Sequence, residues 1–194
     1  NLPYYITTPI IIKMIEDSIP VDKMVVMVQK EVGDRFKAVP GNKDYGSLSV
    51  FLQYNFDVTK VVNVNKRCFE PVPKVDSVVV KLSKNKKFQA QNEEKFYKLV
   101  KDSFTQKRKN LRNNLRNYDL NKIENVLKKY NKDLTSRAES LTIEEFVDIK
   151  NDLDKVTKAI PNNVKRPVIE KVFEVGDMAN AAKGEIAEGQ KIAN

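Results

Sequence analysis

Residues 23–29 read Lys-Met-Val-Val-Met-Val-Gln, a continuous run of apolar and β-branched side chains. A run of this length without polar alternation is typical of a β-strand that is covered on both faces, as in a parallel sheet. A helical pattern precedes the run, and a second, shorter one over residues 30–36 follows it. Helix, buried strand and helix in succession predict an α/β fold.

The segments on either side extend this α/β pattern. Residues 7–9 read Thr-Thr-Pro, which indicates a helix start with a hydroxyl cap and a proline in the first turn, and the helix is predicted to reach Ser18. Downstream, Ser47 is predicted to cap a helix that extends to Phe56. Prolines exclude a regular central strand over residues 69–77. They separate two predicted strands, residues 58–64 and 77–82.

From Asn92 the hydrophobic period becomes helical. The spacing predicts one apolar stripe that contains Phe96, Leu99, Val100, Phe104, Leu111 and Leu115. Two further helices are predicted, one over residues 120–130 and one from Thr142, whose spacing to Glu145 is that of a capping box. An all-α part therefore follows the α/β part.

These patterns divide the chain into three parts. We expect residues 1–84 to form a partial Rossmann-like α/β domain and residues 91–153 to form a basic, helical, RNA-binding domain. Residues 154–194 are an unassigned tail, in which the composition predicts a linker over residues 159–167 and a modest helix over residues 167–182.

The positive charge is confined to one part of the chain. The whole chain carries 35 Lys and Arg against 26 Asp and Glu, a net charge of +9. Residues 84–140 alone hold 16 basic and 7 acidic residues, and the tail from residue 151 holds 7 of each. A localised basic excess predicts a surface that binds a polyanion, most commonly a nucleic acid. A merely solvated helix face is the alternative that charge alone leaves open.

Composition also excludes several classes of function. No apolar run approaches the ~20 residues that a membrane span needs. Cys68 is the only cysteine and there is no histidine, so an internal disulfide and a Cys/His metal site are excluded. We therefore expect a cytoplasmic protein that uses neither a membrane nor a metal.

The first four residues, Asn1-Leu2-Pro3-Tyr4, suit the binding of a flat base that carries an exocyclic amine. The amide oxygen of Asn1 and the backbone carbonyl of Leu2 can each accept a hydrogen bond from an NH2 group. Pro3 fixes the local backbone and contributes no donor. Tyr4 offers a stacking face. Taken alone, the tetrapeptide fits a plain strand-to-helix turn better than it fits a base-binding site.

Six short blocks follow one another along the chain: Asn1-Leu-Pro-Tyr-Tyr5, Gln29-Lys-Glu-Val-x-x-Arg35, Gly41-x-x-Asp-Tyr-Gly-x-Leu-Ser-Val50, Phe69-x-Pro-x-Pro-x-Val-Asp-Ser77, Lys107-Arg-Lys-x-Leu-Arg-Asn-Asn-Leu115 and Arg137-Ala-Glu-x-Leu141. In this order they together resemble the ribosomal RNA adenine N6,N6-dimethyltransferases of the KsgA type. The resemblance covers residues 1 to about 153. A related family, the Erm methyltransferases, shares the first, second and fourth blocks.

The resemblance implies S-adenosyl-L-methionine as methyl donor and two adjacent adenines of small-subunit ribosomal RNA as substrate. It implies that Asn1 contacts the cofactor and that Asn1 to Tyr4 hold the target base. Phe69 is expected to stack on the other face of that base, because a base inside a stem-loop must be extruded before it can react. The expected phosphate contacts lie in the basic block: Lys107, Arg108, Lys109, Arg112 and Arg116.

The expected cofactor half is missing from this sequence. The six glycines, at positions 33, 41, 46, 176, 184 and 189, form no Gly-x-Gly-x-x-Gly after a strand. We therefore expect the C-terminal portion of such an enzyme, inactive or nearly so by itself. Two alternatives stay open: a non-catalytic RNA- or ribosome-binding module, and an Erm-like enzyme that acts on large-subunit RNA.

Overall fold

The computed structural model describes residues 2–85 and 87–155. Asn1 lies outside them, as do the linker and helix predicted beyond residue 156. The described elements, in chain order, are α1 (Tyr4–Glu16), β1 (Lys23–Gln29), α2 (Lys30–Phe36), α3 (Ser47–Asn55), β2 (Phe56–Val64), β3 (Ser77–Lys84), α4 (Glu93–Ser103), α5 (Leu111–Asn114), α6 (Leu120–Lys128) and α7 (Ile143–Asp154).

The three strands form one sheet in the order β1-β3-β2, and both pairings are antiparallel. Ser77 pairs with Gln29 on one side and with Val64 on the other, so these three residues mark one end of the sheet. The strand predicted at residues 23–29 has the predicted bounds. Its predicted environment is wrong, because its described neighbour is antiparallel and Val25 is 65% exposed.

One face of the sheet is buried beneath the first three helices. Val78, Val80 and Leu82 of β3 pack in a core with residues of α1, α2 and α3. Helix α2 lies closest at Gly33, where a Cβ atom would be 2.3 Å from Cγ1 of Val78. By strand alternation Val25, Met27, Val62 and Val79 lie on the opposite face, which no described helix covers.

Helix α1 begins earlier than the sequence predicts. It starts at Tyr4, directly after Pro3, and Pro9 lies inside it. Thr7 is buried and its hydroxyl donates to the Pro3 carbonyl at 3.0 Å, so it braces the first turn from within the helix and does not cap it. Pro9 has no N–H to donate to the carbonyl four residues earlier, which belongs to Tyr5, a residue that is 61% exposed.

Helix α3 differs from its prediction by one residue at each end. Gly46 takes the position before the helix, and its N–H donates to the Ser49 hydroxyl at 3.2 Å. The same hydroxyl donates to the Arg35 carbonyl at 2.7 Å and thereby joins α3 to α2. Phe56 is the first residue of β2, since it pairs with Lys84.

The long helical stripe predicted from Asn92 is interrupted. Helix α4 ends at Ser103, and α5 begins at Leu111 after a turn. Asn110 stops the stripe from running on as one helix, because its side chain accepts the Asn113 N–H and caps a new helix. The capping box at Thr142 is confirmed: its hydroxyl accepts the Glu145 N–H at 3.2 Å, and the Glu145 carboxylate accepts the Thr142 N–H at 2.8 Å.

Two hydrophobic clusters meet at helix α3. Phe51 and Leu52 belong to the cluster beneath the sheet, whereas Val50 and Tyr54 belong to the cluster formed with α4 to α7. Tyr97 of α4 contacts both clusters. One nine-residue helix is therefore a shared wall of the α/β part and the helical part.

Candidate functional site

The turn before helix α1 is fixed to the end of the sheet by one hydrogen bond. The Tyr4 hydroxyl lies 2.6 Å from the Ser77 hydroxyl, and Ser77 is fully buried at the start of β3. This bond holds the Tyr4 ring at the sheet end defined by Gln29, Ser77 and Val64. Leu2 and Pro3 precede the helix there and are exposed.

The backbone carbonyls of Leu2 and Pro3 differ in whether they can still accept a hydrogen bond. The Pro3 carbonyl accepts from the Ile6 N–H at 3.1 Å and from the Thr7 hydroxyl at 3.0 Å, so it is taken up by the helix start. Among the described residues no hydrogen bond reaches the carbonyl of Leu2. Leu2 therefore retains the acceptor that the sequence predicts to meet an amine, while Asn1 lies outside the described residues.

The proline-containing loop that carries Phe69 leaves the same end of the sheet. The Lys66 N–H donates to the Asp76 carboxylate at 2.9 Å, which closes the loop near its base. The Phe69 N–H donates to the Lys66 carbonyl at 3.3 Å, and the Phe69 side chain is half-buried. The structure thus brings the Leu2–Tyr4 turn and the Phe69 loop to one end of the sheet.

A cavity of about 320 Å³ opens beside this end. Its lining includes Gln29 at the end of β1 and Asp76 just before β3. Lys30 of α2 also lines it, as do Lys66 and Lys74 from two parts of the Phe69 loop, together with Glu31 and Val75. Sequence reasoning missed this group of lysines, because they are far apart in the chain and form no local run of charge.

The block around Gln29 is held by helix α2. Glu31 and Arg35 form an ion pair one turn apart on that helix. The Lys30 N–H donates to the Asp76 carbonyl at 2.9 Å and joins the helix start to the Phe69 loop. These contacts hold the start of α2 against the Phe69 loop.

The basic block lies on a turn and a short helix. Lys107, Arg108 and Lys109 are exposed in the connection between α4 and α5, whereas Arg112 is exposed on α5 and Arg116 just after it. Their exposure is compatible both with phosphate binding and with the alternative of a merely solvated surface. We call these five residues the basic surface.

Hydrogen bonds to backbone carbonyls fix the segment that carries the basic surface. The Asn114 side-chain amide donates to the carbonyls of Ser103 at 2.6 Å and Gln106 at 3.3 Å. The Leu111 and Arg112 N–H groups donate to carbonyls in residues 134–136. Lys107 donates from Nζ to the Lys43 carbonyl at 3.0 Å, so this lysine also joins the turn to the loop that precedes α3. The cations thus project from a backbone that is fixed on both sides.

Tyr45 joins the α/β part to the helical part. It is 2% exposed, and its hydroxyl donates to the Leu141 carbonyl at 2.9 Å. Its ring meets that of Phe104 edge-on, with 6.1 Å between centroids. Burial raises the pKa of the Tyr45 hydroxyl, with a smaller contribution from the Glu145 charge, so the group remains a donor at neutral pH. The block around Asp44-Tyr45-Gly46 is therefore a structural contact.

Replacing Tyr45 with phenylalanine should lower the free energy of unfolding by about 1–2 kcal/mol, because the buried Leu141 carbonyl loses its donor while the ring packing is kept. Urea unfolding followed by circular dichroism measures the change. Tyr5→Phe is the matched control, since Tyr5 is 61% exposed and the same atom is removed there. Equal stability of the two variants would contradict the structural role of the Tyr45 hydroxyl.

The described residues do not form a site for a nucleotide-like methyl donor. Such a site needs a glycine-rich turn between a strand and a helix. Gly33 packs inside α2 against Val78, Gly41 has a positive φ of 85° in a surface turn, and Gly46 precedes α3. None of the described glycines therefore lies in a glycine-rich turn of this kind.

Over residues 2–85 and 87–155, no group of three or more His, Cys, Asp or Glu side chains is placed to hold a metal ion. Across the same residues no helix has the length and apolarity to cross a membrane.

Comparisons with known proteins agree on one family. The family described as ribosomal RNA adenine dimethylase matches residues 1–155. The ribosomal RNA small subunit methyltransferase A of Clostridioides difficile (strain 630) is 49% identical over 156 residues, which cover 78% of this chain and 54% of that protein. The same-named protein of Geobacillus sp. (strain WCH70) is 46% identical over 164 residues, 80% of this chain and 56% of that one. The chain thus spans about half the length of these relatives.

Solved structures confirm the predicted fold class. A dimethyladenosine transferase from Plasmodium falciparum superposes with a TM-score of 0.68 at 28% identity, covering 80% of this chain and 65% of that one. The 23S rRNA methyltransferase ErmE superposes with a TM-score of 0.59 at 24% identity, covering 79% and 63%, and supports the fold alone. The chain has the second half of a Rossmann-like methyltransferase sheet, followed by a small all-α part.

Proposed function

Since the chain belongs to the ribosomal RNA adenine dimethylase family, we propose that it is the base-holding and RNA-binding part of an enzyme that dimethylates N6 of two adjacent adenines in small-subunit ribosomal RNA. The observation that supports this most directly is the hydrogen bond between Tyr4 and Ser77. It places the Leu2–Tyr4 turn at the sheet end from which the Phe69 loop leaves.

Holding the base is the chemical task of these residues. The extruded adenine stacks against the Phe69 ring and the Tyr4 ring, and the Leu2 carbonyl accepts one N6 hydrogen. Asn1 accepts the other and contacts the cofactor. Because both N6 hydrogens are then engaged, the nitrogen lone pair is aimed away from the protein acceptors. Catalysis by these residues is a matter of positioning, which can be worth several kcal/mol.

S-adenosyl-L-methionine is the proposed donor of the methyl group. The described residues do not form its site, and the relatives are about twice as long as the matched segment. We therefore propose that the cofactor is bound by residues corresponding to the rest of those relatives. On this proposal residues 1–194 alone transfer no methyl group at a measurable rate.

The test is methyl transfer by an extended chain. The N-terminal segment of the Clostridioides difficile relative is placed before residue 1, and tritiated methyl incorporation into purified small and large ribosomal subunits is measured. We expect incorporation into small-subunit RNA only, at two adjacent adenines. Incorporation into large-subunit RNA would favour an Erm-like enzyme, and RNA binding without any transfer would favour a non-catalytic module.

The basic surface is the proposed contact for RNA phosphates. Replacing Arg108, Arg112 and Arg116 with glutamine should reduce the slope of log affinity against log salt by about 2, since each lost phosphate contact removes ~0.7–0.9. Lys107 is left in place because it also supports the backbone. Filter binding of small-subunit RNA between 50 and 200 mM salt is the measurement.

Lys23→Gln with Lys84→Gln supplies the control for this experiment. Both lysines are exposed at the end of the sheet opposite Ser77. The control should leave the salt slope unchanged. A slope that is equally unchanged in the triple arginine variant would show that the basic surface does not contact phosphates.

The remaining assignments belong to the same proposal. We assign residues 1–84 to a partial methyltransferase domain, residues 91–153 to the RNA-binding domain, and the small ribosomal subunit as partner. Ribosomal subunits are assembled in the cytoplasm of bacteria, so we propose that location.

A further inference from the structure

The cavity beside the base-holding end has a role that the proposed function leaves open. It has a volume of about 320 Å³, at the lower end of the range of ~300–1,000 Å³ that ligand sites occupy. Lys30, Lys66 and Lys74 reach it from helix α2 and from two parts of the Phe69 loop. Three cations from separate segments face a space that is large enough for part of a nucleotide.

The two carboxylates of the cavity do not balance its three lysines. Glu31 is paired with Arg35, whose charge offsets its own. Asp76 accepts the neutral backbone N–H of Lys66 through Oδ1 and keeps its charge, which leaves one carboxylate against three ammonium groups. Over the described residues, the ammonium groups of Lys30 and Lys74 have neither a hydrogen-bond nor an ion-pair partner. The cavity therefore has an excess of positive charge.

The cavity is joined to the base-holding residues by single intermediate contacts. Gln29 lines it and pairs directly with Ser77, the partner of Tyr4. Lys66 lines it and accepts the Phe69 N–H through its carbonyl. The cavity lining is therefore linked to Tyr4 through Ser77 and to Phe69 through Lys66.

We propose that this cavity binds the RNA backbone phosphate adjacent to the target adenosine, an inference that rests on the proposed function. An extruded base leaves its own phosphodiester at the rim of the pocket, where lysines neutralise charge without reading sequence. Lys30 and Lys74 are thus positioning residues: they fix the nucleotide whose base the Leu2–Tyr4 turn and Phe69 hold. This contact is separate from those of the basic surface, which lies on other elements.

The test combines a protein change with an RNA change. The protein variant is Lys30→Gln with Lys74→Gln in the 194-residue chain. The RNA is a small-subunit hairpin with two adjacent adenines, in which each linkage flanking those adenines is replaced in turn by a neutral methylphosphonate. Affinity is measured between 50 and 200 mM salt for every combination.

Among the linkages that are neutralised in turn, we expect one, the linkage bound by the cavity, to change the salt slope. For the unaltered chain, neutralising that linkage should reduce the salt slope by about 0.7, the value for one single-strand phosphate. The variant with Lys30→Gln and Lys74→Gln should have this reduced salt slope already on unmodified RNA. Neutralising the linkage should then reduce its slope no further. Such non-additivity is the signature of two groups in direct contact. Lys30→Arg with Lys74→Arg should keep the original slope.

Lys23→Gln with Lys84→Gln is again the matched control, with the same charge change at the opposite end of the sheet. Its salt slope should fall by about 0.7 when the linkage is neutralised, as it does for the unaltered chain. If the lysine variant loses as much as this control at every linkage, the cavity does not bind the phosphate and the inference is overturned, while the proposed function stands. If the unaltered chain binds no small-subunit hairpin, the proposed function fails and the inference fails with it.

Discussion

Replacing Phe69 with alanine is expected to lower kcat/KM for methyl transfer to small-subunit RNA between about 5- and 150-fold in the extended chain. Stacking of a base on an aromatic ring contributes ~1–3 kcal/mol, and each 1.4 kcal/mol or so is a factor of ten. Phe69 is half-buried on the loop that leaves the Ser77 end of the sheet. Initial rates over a range of RNA concentrations measure the effect.

Two substitutions separate stacking from loop structure. Phe69→Tyr keeps an aromatic face and should retain most of the activity. Val72→Ala removes an exposed apolar side chain from the same loop and should have little effect. If Phe69→Ala and Val72→Ala lower the rate equally, the loop as a whole matters and the Phe69 ring does not hold the base.

Replacing Glu145 with alanine should reduce the free energy of unfolding by about 2–4 kcal/mol. Glu145 is 4% exposed; both carboxylate oxygens lie 2.7 Å from Lys132 Nζ, and one also accepts the Thr142 N–H. Breaking a buried pair costs ~3–5 kcal/mol, and the range is lowered here because the Lys132 side chain is 24% exposed. Urea unfolding of the 194-residue chain measures it.

Glu144→Ala is the control for this prediction. Glu144 is exposed in the same first turn of α7, so its loss should change stability by less than about 0.5 kcal/mol. Glu145→Leu combined with Lys132→Met removes both charges and should recover much of the loss. A Glu145→Ala chain as stable as Glu144→Ala would show that the ion pair and the capping box contribute nothing net.

Local chemistry made the helix and strand positions predictable. The capping box at Thr142 and the strand at residues 23–29 both depend on neighbouring residues, and both are confirmed. The environment of β1 was not predictable in this way. An apolar run has the same sequence whether its second face is covered or open and whether its partner is parallel or antiparallel.

The helix ends that were wrong have two physical causes. At Thr7, burial and a hydroxyl bond to the Pro3 carbonyl replace capping. The interruption between α4 and α5 has a local signal, Asn110, which hydrophobic spacing alone passes over.

Some parts of the candidate site could likewise be predicted from neighbouring residues, and others could not. The tetrapeptide, the Phe69 loop and the basic surface are all short motifs, so the sequence could predict them. The Tyr4–Ser77 bond and the cavity lysines depend on segments that only the folded sheet brings together. Two signals pointed to the position of Ser77: it lies in a recognised block, and it is the first residue of the strand predicted over residues 77–82.

The shared helix α3 has a consequence for the order in which the chain folds during synthesis. Val50 and Tyr54 are made well before Leu99, Ile123 and Phe146, with which they share a core. Until α4 to α7 emerge, an apolar flank of α3 therefore faces water. Vectorial synthesis thus leaves this flank of α3 uncovered until the last described helix has left the ribosome, whereas the cluster beneath the sheet is almost entirely made before α4.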